Sequence, residues 1–113
     1  MSIADRIRER TSAKHHIDVA EWGEDGAPQR VFYGPLLTGE ISKLQRKHPQ
    51  FLTNMDMAGA VELIVMKAEN GEGEKLFTLE DKPLLMREEV HVITRVAAAF
   101  MSGVQGVEEL EKN

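Results

Sequence analysis

Apolar residues recur along this chain at two different periods, and the change of period divides it into elements. Near the start, Ile3, Ala4 and Ile7 are interspersed with Asp5, Arg6, Arg8, Glu9 and Arg10, which predicts a short amphipathic helix or a frayed lead within residues 1–14. Residues 15–22 (HHIDVAEW) carry β-branched and aromatic side chains in loose alternation. They predict a strand with Ile17 and Val19 on its buried side. Residues 30–33 are its expected partner. Between the two lies Gly23-Glu24-Asp25-Gly26-Ala27-Pro28, where Asp25-Gly26 supplies the positive backbone dihedrals of a tight turn and Pro28 limits further pairing. A β-hairpin follows.

After Gly34-Pro35 the period changes. Thr38 is placed to cap a helix that Pro49 stops, with a narrow apolar stripe of Leu37, Ile41 and Leu44. Asn54 or Asp56 can cap the next segment, residues 57–68, whose apolar run is broken only by Gly59 and Glu62 and which reads as the most buried helix. A strand over 61–66 is the rival reading, since a short apolar run has no diagnostic period. The acidic loop 69–75 follows, Leu76-Phe77 returns to the core, and Thr78 caps again before Glu80, Asp81 and a tolerated Pro83. From Leu85 onward Met86, Val90, Ile93, Ala97 and Phe100 recur at three and four, widened by Val92, Val96 and Met101. They predict a long helix with a break near Arg87 and Gly103 at its end. Residues 104–113 form an acidic tail in which Val104, Val107 and Leu110 stand among Glu108, Glu109 and Glu111. The expected fold is α+β: an N-terminal hairpin packed against about four helices, one globular unit over 15–103.

Composition narrows the chemistry. A chain of 113 residues, 42% apolar, supports one core without a metal or disulfide staple, and the lack of cysteine removes disulfide, zinc-thiolate and thiol-nucleophile chemistry. A net charge of -5 repels a phosphate backbone, so nucleic acid is not an expected partner. No apolar run approaches the roughly 20 residues that span a bilayer, and residues 1–10 lack the apolar centre of a signal peptide, so the expectation is an unexported chain with no membrane partner. His15 and His16 are adjacent on a strand and point to opposite faces, and His91 has Arg87 and Arg95 rather than a carboxylate four residues away. The paired carboxylates fall in turns, helix starts or the tail, and no serine sits in a nucleophile elbow. Lys43, Arg46, Lys47 and His48 read as a solvated helix face. No catalytic, cofactor or metal site is expected, and a small metal-dependent enzyme rests on the four histidines alone. By elimination the domain binds other proteins.

The order of features carries a resemblance. A strand ending in Trp22, the strand Val31-Phe32-Tyr33, a polar and then an apolar helix, the loop Asn70-Gly71-Glu72-Gly73, the stretch Leu76-Phe77-Thr78-Leu79-Glu80-Asp81 and a closing helix through Val92-Ile93-Thr94-Arg95-Val96 resemble the small tail assembly chaperones of long-tailed bacteriophages and prophages. The similarity covers roughly residues 15–103. It implies a non-catalytic protein of the bacterial host cytoplasm, absent from the mature virion, that binds the tape-measure protein and recruits tail-tube protein around it. It further implies a homo-oligomer, and a second form extended by a ribosomal frameshift. A structural tail-completion or tube-associated virion protein is the alternative. Candidate partner-binding residues are Trp22, Val31 and Tyr33, should the hairpin face be exposed, and the apolar tail edge Val104, Val107 and Leu110.

Overall fold

The computed structural model describes residues 2–54 and 56–102. Ser2 opens α1 (Ile3–Thr11): its hydroxyl accepts the Asp5 amide at 3.1 Å while the Asp5 carboxylate accepts the Ser2 amide at 3.4 Å, a reciprocal cap. No residue of α1 is buried. The hairpin then runs β1 (His15–Glu24) to β2 (Ala27–Tyr33), antiparallel, longer than expected at both inner ends. Asp25 (φ 53°) and Gly26 (φ 77°) form the turn, both in the left-handed region that this dipeptide tolerates. Pairing runs from His15↔Tyr33 to Val19↔Gln29, then shifts before Glu24↔Ala27. The irregularity breaks strict alternation, so the neighbours Glu21 and Trp22 both reach the α5 end of the molecule.

The helix capping position before α2 (Thr38–Lys47) is Leu37, not Thr38. Thr38 is already helical, and the orphan Leu37 amide is satisfied by Glu40, whose Oε1 accepts it at 2.9 Å. Asp56 caps α3 (Met57–Lys67) as expected, accepting the Gly59 amide at 2.6 Å, and the rival strand over 61–66 is absent. At the end of α3 the chain turns extended: Glu69 pairs with Phe32 and Lys75, adding a short rung beside β2. Asn70 holds the loop, its Oδ1 accepting the amides of Glu72 and Glu74. A 3-10 turn (Leu79–Asp81) leads into α4 (Lys82–Leu85), with Pro83 in its first turn, and the break near Arg87 separates it from α5 (Val90–Phe100). The five α-helices of the described residues thus include two where one interrupted helix was expected. Spacing does not carry across residues 86–89, so Met86 and Val90 are 53% and 65% exposed instead of joining the core stripe.

Seven of the eleven α3 residues are buried, and α5 packs along it with Val92, Ile93, Val96, Ala97 and Phe100 inward. Val19 and Val31 of the hairpin complete this core together with Leu44 and Phe51, and Tyr33 stacks on Phe100 with ring centroids 4.7 Å apart. The expectation that Val31 and Tyr33 could face a partner is therefore corrected. Both are core residues, because a two-stranded hairpin needs a packed face and α5 supplies it. Lys67, buried at the end of α3, donates to Pro35 C=O and to both Glu40 carboxylate oxygens at 2.8 and 3.1 Å, anchoring the start of α2. No helix among the described residues is long and apolar enough to cross a membrane.

Candidate partner-binding groove

α3 packs along α5, and one stripe of it, Ala58, Glu62 and Met66 with the edge of the buried Val65, lines the surface elsewhere. Two walls flank it. One is α2, through Lys43, Leu44, Arg46 and Lys47, and the other is the segment 75–86, through Lys75, Phe77, Leu79, Lys82 and Met86. Three adjoining depressions of about 470, 460 and 340 Å³ share Glu62 and form a groove along this stripe. Its floor and far wall are mostly apolar, and Leu79, 69% exposed, stands at the lip. Phe77 is held in the wall from behind by Trp22, edge-on at 5.5 Å and 75°, and Trp22 is fixed in turn by donating Nε1–H to Glu88 at 2.7 Å.

The polar atoms of the groove are unevenly signed. Glu62 accepts from Lys47 at 2.8 Å and pairs with Lys82, so one carboxylate joins α2, α3 and α4. Burial pushes its pKa up, but the hydrogen bonds from Lys47 and Lys82 and their charges outweigh burial and hold the carboxyl below its ordinary range. Lys75 Nζ donates to the Met66 carbonyl. Lys43 and Arg46 are exposed and have no carboxylate partner among the described residues. Five cations thus surround one carboxylate on a chain whose net charge is -5.

The residues singled out in the sequence are dispersed by the fold. Trp22 stands behind the groove wall, Val31 and Tyr33 lie in the core, and Val104, Val107 and Leu110 fall outside the described residues. His15 and His16 rest against Tyr33 and Phe32. His91 does have carboxylates nearby, Glu21 at 3.7 Å and Glu89 at 3.7 Å. Glu21 arrives from β1, outside the four-residue spacing of the helix itself. Arg95 also grips Glu21, and that hydrogen bond lowers the Glu21 pKa and raises that of Arg95, tying hairpin to helix at the surface. Among the described residues no group of three or more His, Cys, Asp or Glu is placed to hold a metal ion.

The groove itself was not foreseen. The cluster Lys43, Arg46, Lys47 was visible as a helix face, but its neighbours across the groove lie some thirty to forty residues downstream. Only the outward apolar residues Leu79 and Met86 beside a cationic helix signal it. Comparison with protein-family models, with curated proteins and with solved structures finds no match to this chain.

Proposed function

We propose that the protein is a non-catalytic assembly chaperone of phage tails, holding an apolar helical stretch of the tape-measure protein in the α3 groove while tail-tube subunits are recruited around it. The observation that carries this reading is the groove: an apolar floor with a cationic rim, the form in which a helix with one greasy and one acidic face is received. Leu79 and Met86, both largely exposed, line the groove, and exposed apolar side chains are a cost to solubility unless something covers them. The resemblance in element order supplies the identity of the partner and the setting, a host cytoplasm before the tail is complete. Self-association belongs to the same reading.

The test is co-expression with the tape-measure protein of the same genome. Soluble yield and co-purification are expected to rise with this chain and to fall when Leu79→Asp and Met86→Asp are combined, both sites being exposed enough to leave the core intact. Equal yields with and without the chain sink the proposal. Mass spectrometry of purified particles separates the alternative, since a tail-completion or tube-associated protein is found there and a chaperone is not.

A further inference from the structure

The hairpin has one edge engaged and one open. On β2, Phe32 donates its N–H to the Glu69 carbonyl and accepts the Glu69 amide, both at 2.8 Å, so its backbone groups point away from β1. Its partner on β1 is His16. In an antiparallel ladder a pair so oriented exchanges no hydrogen bond, and the N–H and C=O of His16 therefore point away from β2. Two residues on, within the same unbroken register, Asp18 presents its backbone in the same direction. No backbone group of the described residues pairs with these four. α1, in which no residue is buried, leaves them open.

Native sheets blunt an open edge with a lysine, a proline or a bulge. Here Pro28 lies on β2 and the register of β1 breaks only after Val19, so residues 15–19 carry none of these defences. The side chains of that stretch decide what it pairs with. Val19 is buried and Ile17 packs half-buried against the core, while His16 and Asp18 stand on the opposite, solvent face. We infer that the edge of β1 pairs antiparallel with the edge of β1 in a second copy of this chain, about a two-fold axis at Ile17. That register joins the outward groups of His16 to those of Asp18 in the second copy, and the reverse, in four backbone hydrogen bonds. It also sets each imidazole against a carboxylate and Ile17 against its own counterpart. Moving the axis to His16 or to Asp18 keeps the backbone pairing but opposes two imidazoles or two carboxylates, and both attractions are lost. So short an interface makes a weak association rather than an obligate dimer. It shares no residue with the α3 groove, and only as the route of the self-association proposed above does it rest on that reading.

Sedimentation of the natural chain is expected to show a mass that rises with concentration toward that of two copies. His16→Asp turns both attractions into repulsions and should raise the dissociation constant about tenfold, and adding Asp18→His should restore it. The chain has no cysteine, so Ile17→Cys supplies a single thiol that meets its counterpart at the axis, about 4.5 Å away between Cα atoms. Mild oxidation should cross-link this variant and leave Ala20→Cys uncross-linked, its counterpart lying six positions along the strand, about 20 Å. A natural chain that stays monomeric at every concentration, a folded Ile17→Cys chain that does not cross-link, or a dimer indifferent to His16→Asp overturns the inference. No tape-measure protein is present in these experiments, so their failure leaves the chaperone reading standing. Failure of co-expression with the cross-link intact rejects that reading alone.

Discussion

Gly59 measures how tightly the first turn of α3 is wedged. A Cβ built there falls 2.5 Å from Phe51 Cδ1 and 3.3 Å from the capping Asp56 carboxylate, and Phe51 is 1% exposed. Alanine in a helix gains up to about 1 kcal/mol over glycine, but forcing a methyl into a packed core costs about 1–3 kcal/mol. Gly59→Ala is therefore expected to lower stability by about 1 kcal/mol, read as a lower urea midpoint with unchanged slope. A raised midpoint would mean that the Phe51 ring swings aside freely. Asp56, which shares this turn, accepts the Gly59 amide. Asp56→Ala should cost about 1 kcal/mol, and an unchanged melting temperature would show that another group takes the amide.

At the scale of elements, the largely buried pair Glu40 and Lys67 ties the start of α2 to the end of α3. Glu40→Ala strips Lys67 of both carboxylate contacts and leaves the Leu37 amide unpaired. Removing one partner of a buried pair costs about 3–5 kcal/mol, and Glu40's partial exposure brings the expected loss down to about 2 kcal/mol. Adding Lys67→Met should restore much of it, because the uncompensated charge is gone; a double variant as unstable as the sum of both singles would refute that. These elements were unequally legible in the sequence. Asp25-Gly26 and Asp56 act through groups within three residues, so hairpin turn and α3 start could be read directly. Leu37 as the cap position depends on Glu40 reaching backward, and the exposure of Met86 and Val90 depends on where the chain breaks, which periodicity alone does not set. The groove was least legible of all, since residues 43–47 and 75–86 meet only by packing on opposite sides of α3.

For the whole molecule, the decisive feature is that Glu62 joins three helices while the surface around it remains cationic. Its carboxyl titrates below its ordinary value of 4.5 in the folded chain, so folding favours the ionised form. The sign follows: this contribution to stability is complete above the unfolded value and is lost as pH falls through the lower folded value. Glu21, also lowered by Arg95, changes in the same direction, so acid loosens both the groove and the attachment of hairpin to α5. Glu62→Gln isolates the first effect. The variant is expected to melt below the natural chain at pH 7, with the gap narrowing once the pH falls under about 4.5. Thermal melts of both proteins across pH 3–7 check this. A gap that stays constant would assign Glu62's role to packing and hydrogen bonding independent of its charge. A gap that closes means that acid frees Lys47 and Lys82 from their internal partner. The groove then becomes more cationic as its walls lose the carboxylate that holds them together.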